Sequence, residues 1–88
     1  MNHYVYMLKS VKEGKVKTYV GYTIDLKKRL MLHNSGKGAK STRGRNWKII
    51  FKKAYKNKNS ALAAEYFFKK NYNIRKKIKE KYVFKLSK

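Results

Sequence analysis

The chain of 88 residues carries 25 Lys and Arg against four acids, for a net charge of +21, with 42% apolar residues and no Cys. That length supports one domain over 1–88 with a small core, and the absence of thiols excludes a disulfide framework or a thiolate metal site. So large an excess of positive charge attracts and steers a polyanion, and acids too few to balance the Lys make nucleic acid the expected partner, ahead of an anionic membrane surface.

The chain opens on polar Asn2 and His3, and its apolar runs are only a few residues long. A bilayer span needs about 20 apolar residues and a signal peptide needs an apolar run behind a basic start, so no membrane segment and a cytoplasmic location are expected. Tyr4 to Leu8, rich in aromatic and branched residues, predicts a first strand. Lys9 to Lys15, polar and containing Gly14, predicts the connection of a hairpin whose second strand runs from Val16 to Thr23. Asp25 is placed to cap a helix from Leu26 to about His33, with Leu26 and Leu30 on its apolar stripe and Gly36 ending it.

Asn34 to Asn46 offers almost nothing to bury and predicts a basic, mobile loop. Its Lys37, Lys40, Arg43 and Arg45, with Thr42 and Ser41 as neutral donors, are the candidates for contact with nucleic-acid phosphates. Trp47 to Tyr55 predicts the third strand. Asn59 or Ser60 then caps a helix from Ala61 to about Lys70, Asn71 and Asn73 interrupt it, and a basic helix follows from Ile74 to Lys81. Tyr82, Val83, Phe84 and Leu86 form an apolar tail able to return to the sheet. The fold class is therefore α+β, a small three-stranded antiparallel sheet flanked by helices.

Four acids restrict the chemistry. Glu13 sits in the hairpin, Asp25 is a cap, and Glu80 lies in the basic third helix. Glu65, inside the second helix among Ala, Leu and Phe, is balanced between an ion pair with a Lys and a functional carboxylate. Two-metal clusters need several converging carboxylates, so a hydrolase built here works with one carboxylate, phenols, His and Arg. Arg29 and His33 lie one turn apart on one helix face, which suits a phosphate contact beside a proton carrier and equally suits a solvated face. Tyr4 and Tyr6 share a strand face that Tyr19 can approach across the hairpin, either as packing or as proton-handling phenols with Lys15, Lys17 and Arg29 as cationic neighbours. Gly21 after Tyr19 and Val20 predicts a bend or a close backbone approach.

In order along the chain, Tyr4-Val5-Tyr6, Tyr19-Val20-Gly21-Tyr22-Thr23, Arg29, His33-Asn34, Gly36, Thr42-Arg43-Gly44, Trp47 and Glu65 resemble the GIY-YIG nuclease family, and its small stand-alone branch in particular. The resemblance covers nearly the whole chain and implies a metal-dependent endonuclease acting on nucleic acid, with DNA the expected substrate. It implies that Glu65 holds one Mg²⁺ or Mn²⁺ touching the scissile phosphate. Tyr6 would be the general base for the attacking water, relayed through His33. Arg29 would stabilise the charge of the transition state, and Tyr19 would order the water or bind the phosphate. Tyr4 stands where the family has Gly, Asn46 where relatives carry Pro, and Arg75-Lys76-Lys77 where many active members have an Asn. The last departure keeps open a binding module of the same fold with weak or lost cleavage, and the small size suggests a targeting protein partner. A third possibility, an unrelated basic RNA-binding protein, gives no reason for Arg29, His33 and Glu65 to meet.

Overall fold

The computed structural model describes the backbone of residues 1–87 and side chains as far as Lys81. Strand β1 (His3–Lys12) lies between β2 (Lys15–Thr23) and β3 (Lys48–Tyr55), both antiparallel to it. The hairpin is tighter than the sequence predicts. Glu13 and Gly14 alone connect the strands, with φ of 52° and 77°, the left-handed pair that a two-residue turn between twisted strands demands. Paired backbone therefore extends through Lys12 and from Lys15, into residues whose polar composition suggested loop.

Helix α1 (Leu26–Asn34) starts where Asp25 accepts a hydrogen bond from the Lys28 backbone N–H at 3.0 Å, as expected of a cap. Helix α2 (Lys58–Lys70) is capped by Asn57, one turn before the expected start, through the Ser60 N–H at 2.8 Å. Helix α3 (Tyr72–Ser87) follows immediately, and Asn71 caps it by accepting from the Ile74 N–H at 3.2 Å. The predicted interruption is thus a corner, with Asn71 ending one helix and starting the next. The backbone of Tyr82, Val83, Phe84 and Leu86 continues α3. Their packing as an apolar tail lies outside the described side chains.

The sheet is covered on both faces. On one, Val5, Met7 and Val20 are buried against Ala61 of α2, with Phe51, Phe68 and Ile78 closing around them. On the other, Tyr6, Leu8 and Trp47 are buried beneath Leu26 and Leu30 of α1. Alternation along β1 sends Val5 and Met7 one way and Tyr6 and Leu8 the other, so a single strand feeds both cores. The strand is almost fully buried from Val5 to Leu8 as a result.

The segment between α1 and β3 is held, not free. The Asn34 side chain accepts from the Trp47 N–H at 2.6 Å and donates to the Trp47 carbonyl at 3.2 Å. Trp47 Nε1 donates to the Thr42 carbonyl at 2.8 Å, within a short 3₁₀ turn (Lys40–Thr42). These bonds, with the Arg45 contacts described below, fold the segment back over the end of α1. No helix among the described residues is long and apolar enough to cross a membrane.

Candidate active site

Four side chains from three elements meet on the α1 face of the sheet. Tyr6 comes from the middle of β1, Arg29 and His33 from successive turns of α1, and Thr42 from the 3₁₀ turn. Tyr6 Oη lies 2.8 Å from His33 Nε2 and receives the Arg29 Nε–H at 3.3 Å. His33 Nδ1 lies 2.9 Å from Thr42 Oγ1, and that hydroxyl donates to the Ala39 carbonyl at 2.8 Å.

The direction of this chain follows from counting protons. Thr42 has one hydroxyl proton and gives it to Ala39, so its oxygen must accept from His33 Nδ1–H. A neutral His33 then presents a bare lone pair at Nε2, and Tyr6 must donate to it. Tyr6 Oη accepts from Arg29 and retains one uncommitted lone pair. The polarity is Arg29 to Tyr6 to His33 to Thr42 to Ala39.

The electrostatics agree with that protonation. Burial lowers the His33 pKa below its ordinary 6.5, and the Arg29 charge lowers it further. Burial pushes the Tyr6 phenol up to about 12, although the Arg29 hydrogen bond works against it. A resting phenolate promoted by cationic neighbours is therefore not the state of Tyr6. Lys15 and Lys17 sit exposed on the hairpin, and Arg29 alone does not outweigh desolvation. Arg29 is itself held more firmly protonated, first by the Tyr6 hydrogen bond.

Tyr19, half-buried on β2, completes the cluster. Its ring lies 4.9 Å from that of His33 and 6.3 Å from that of Tyr6, centroid to centroid. Tyr4 shares the Tyr6 face of β1 but stays outside the cluster, near Asn2. Gly21 is opposite Tyr6 in the β1–β2 register, and a Cβ there would lie 2.4 Å from Tyr6 Oη. The close approach expected at this Gly is real, and its partner is the phenol. Gly38, which nothing in the loop composition distinguishes, has the same relation to His33: a Cβ would lie 2.5 Å from Nδ1.

Glu65 comes from α2. Its side chain is 20% exposed and pairs with Lys69 one turn on, at 3.4 Å. Its charge reaches Tyr6 and adds slightly to the rise in the phenol pKa. Lys69, the ion-pair partner of Glu65, lines a groove at the β2 edge together with Tyr19. Among the described residues, no three His, Cys, Asp or Glu side chains gather as a metal cage.

The loop candidates divide. Lys37, Lys40 and Arg43 are exposed. Thr42 is completely buried and its hydroxyl is committed on both sides, so it holds His33 and has nothing to offer a phosphate. Arg45 donates to Ser10 Oγ at 3.1 Å and to the Lys15 carbonyl at 2.9 Å, which ties the loop to the hairpin. Composition could not tell that Thr42 turns inward, nor that Arg45 packs half-buried against the hairpin.

The GIY-YIG catalytic domain profile matches residues 2–87 of this sequence. The chain belongs to the GIY-YIG family. It is 43% identical to a UPF0213 protein of Bacillus licheniformis over 83 residues, which covers 93% of this chain and 79% of that one. Against the UPF0213 protein YazA of Bacillus subtilis the identity is 42% over 83 residues, covering 93% and 78%. The solution NMR structure of a UPF0213 protein from Bacillus halodurans matches 88% of this chain and 80% of its own at 42% identity, with a TM-score of 0.48. Membership of this family associates the fold with nuclease chemistry on nucleic acid.

Proposed function

We propose that this GIY-YIG protein is an endonuclease that hydrolyses phosphodiester bonds of nucleic acid, DNA in the first instance, with the help of one divalent cation. The observation that carries the reading is the directed hydrogen-bond chain from Arg29 through Tyr6 and His33 to Thr42. A buried chain with this polarity moves a proton in one direction. The attacking water gives its proton to the free lone pair of Tyr6 Oη as the Tyr6 proton passes to His33 Nε2. No phenolate has to exist beforehand, which removes the obstacle of a phenol pKa near 12. Arg29, held against Tyr6 and firmly protonated, is suited to offset the negative charge that develops on the phosphoryl oxygens. Tyr19, the more accessible phenol, is suited to orient the water or bind a phosphate oxygen.

Glu65 would hold the cation. One carboxylate fits Mg²⁺ or Mn²⁺, because such an ion keeps much of its water shell and completes its ligands with substrate phosphate oxygens. When bound, the ion supplies Lewis-acid stabilisation of the phosphate charge. A second reading, a binding module without cleavage, draws on the Lys69–Glu65 pair, which gives the carboxylate a cationic partner already. In that case a targeting protein would have to displace Lys69.

The test is cleavage of branched, flapped and single-stranded DNA in Mg²⁺ or Mn²⁺ by the wild type, Glu65→Ala, Tyr6→Phe and Arg29→Ala. The expected result is cleavage by the wild type and loss in all three variants. Cleavage that survives Glu65→Ala would remove the metal assignment. Binding of all substrates with no wild-type cleavage would favour the second reading.

A further inference from the structure

Two adjoining hollows run along the outer edge of β2 toward the corner between α2 and α3. The first, about 270 Å³, is lined by Thr18, Tyr19, Val20, Lys69 and Arg75. The second, about 60 Å³, is lined by Thr18, Tyr72, Arg75, Lys76 and Lys79. They share Thr18 and Arg75, so they form one groove that begins at a phenol of the candidate active site and ends on α3. Its charged lining is entirely cationic.

Two features make it more than another basic surface on a basic protein. Arg75 is fixed: its Nη1 donates to the Phe68 carbonyl at 2.7 Å and to the Lys69 carbonyl, both at the end of α2. A pinned guanidinium loses less side-chain freedom on meeting a phosphate than a free Lys does. Tyr72 stands beside it, with the Arg75 guanidinium 5.9 Å from the ring centroid, and is 61% exposed. The groove thus offers an open aromatic face beside fixed and mobile phosphate donors.

We propose that this groove binds a single-stranded segment of nucleic acid leading away from the cleavage site, with a base stacked on Tyr72 and phosphates on Arg75, Lys76 and Lys79. The role assigned to the segment rests on the nuclease reading of the neighbouring site, whereas the binding itself does not require cleavage. Unpaired bases offer a free face to an exposed ring, and paired bases in a duplex are already stacked on both faces. The Lys and Arg side chains attract either form, so Tyr72 is the element that discriminates between them.

The experiment is fluorescence anisotropy in EDTA with a dye-labelled single-stranded oligonucleotide and a duplex of the same sequence. Loss of one base stack should make Tyr72→Ala bind the single strand about five- to a hundredfold more weakly while leaving duplex affinity unchanged. Tyr72→Phe should bind like the wild type. Tyr72→Leu, which keeps apolar bulk without an aromatic face, should behave like Tyr72→Ala. The double variant Lys76→Ala/Lys79→Ala should weaken both forms and flatten the salt dependence of single-strand binding by about 0.7 per lost phosphate contact. Unchanged single-strand affinity in Tyr72→Ala and Tyr72→Leu, or an equal loss on both substrates, overturns the proposal. Parallel cleavage assays in Mg²⁺ separate the two claims. An inactive wild type that keeps the Tyr72 discrimination sinks the nuclease reading and leaves the groove. Full cleavage with no Tyr72 discrimination does the reverse.

Discussion

The two faces of the sheet solve burial in opposite ways, although the same strand supplies both. Val5 and Met7 face α2 among Val20, Ala61, Phe51 and Phe68, where only shape and area matter. Tyr6, one residue along, faces α1 and meets Arg29 and His33 where every polar atom must find a partner. The described residues contain no buried side-chain nitrogen or oxygen without a hydrogen bond. The first face is held by a non-directional force and tolerates exchange of similar volumes. On the second, each group has one acceptable protonation and orientation, and that constraint gives the hydrogen-bond chain the direction on which the proposed proton transfer rests.

Substitution on the two faces should therefore separate activity from stability. The largest effect is expected for Tyr6→Phe, which removes the shuttle and should reduce single-turnover cleavage by about 10²- to 10⁴-fold with the fold intact. Met7→Ala is the counterpart. It should lower unfolding free energy by about 2–5 kcal/mol in urea titrations and leave cleavage by the folded fraction unchanged. Equal losses of activity in the two variants would remove the distinction between the faces.

Thr42→Val keeps the shape and deletes the acceptor for His33 Nδ1–H. Leaving that donor unpaired should cost about 1–3 kcal/mol of stability. It should also shift the His33 tautomer, read from ¹⁵N chemical shifts of the imidazole, and Thr42→Ser should restore it. A tautomer unchanged in Thr42→Val would show that the hydroxyl does not set the direction of the chain.

The pH dependence sharpens the same contrast. His33 has a lowered folded pKa, so between that value and the ordinary 6.5 the unfolded chain binds more protons. The His33 contribution to stability should be complete above 6.5 and be lost as pH falls through the folded value. Cleavage should fall on the same acid limb, since a protonated Nε2 accepts nothing from Tyr6. The Tyr6 contribution has the opposite sign. It should be complete below pH 10 and be lost as pH rises toward 12. Thermal midpoints and single-turnover rates across pH check both limbs, and His33→Gln should abolish the acid one.

The smallest effects are expected in the loop, where two Arg residues two positions apart should diverge. Arg43→Ala should leave stability unchanged and weaken duplex binding, with a salt slope shallower by about 0.9 if it contacts one phosphate. Arg45→Ala should lower the thermal midpoint through its lost bonds to Ser10 and Lys15, without changing that slope. Matched behaviour of the two would contradict the division drawn between them.

Period and composition made much of this molecule legible. Alternation along β1 separated Tyr6 from Val5 and Met7, the four-residue spacing of α1 put Arg29 and His33 on one face, and scarcity of acids directed attention to Glu65. Those are local properties, set by backbone geometry that repeats over a few residues. The tertiary structure decided which phenol of Tyr4 and Tyr6 joined the cluster, that Thr42 turned inward and Arg45 onto the hairpin, and that Gly38 lay against His33. Those outcomes depend on the path of a loop between distant anchors. A hydrogen bond between residues far apart in sequence leaves no periodic trace in either of them.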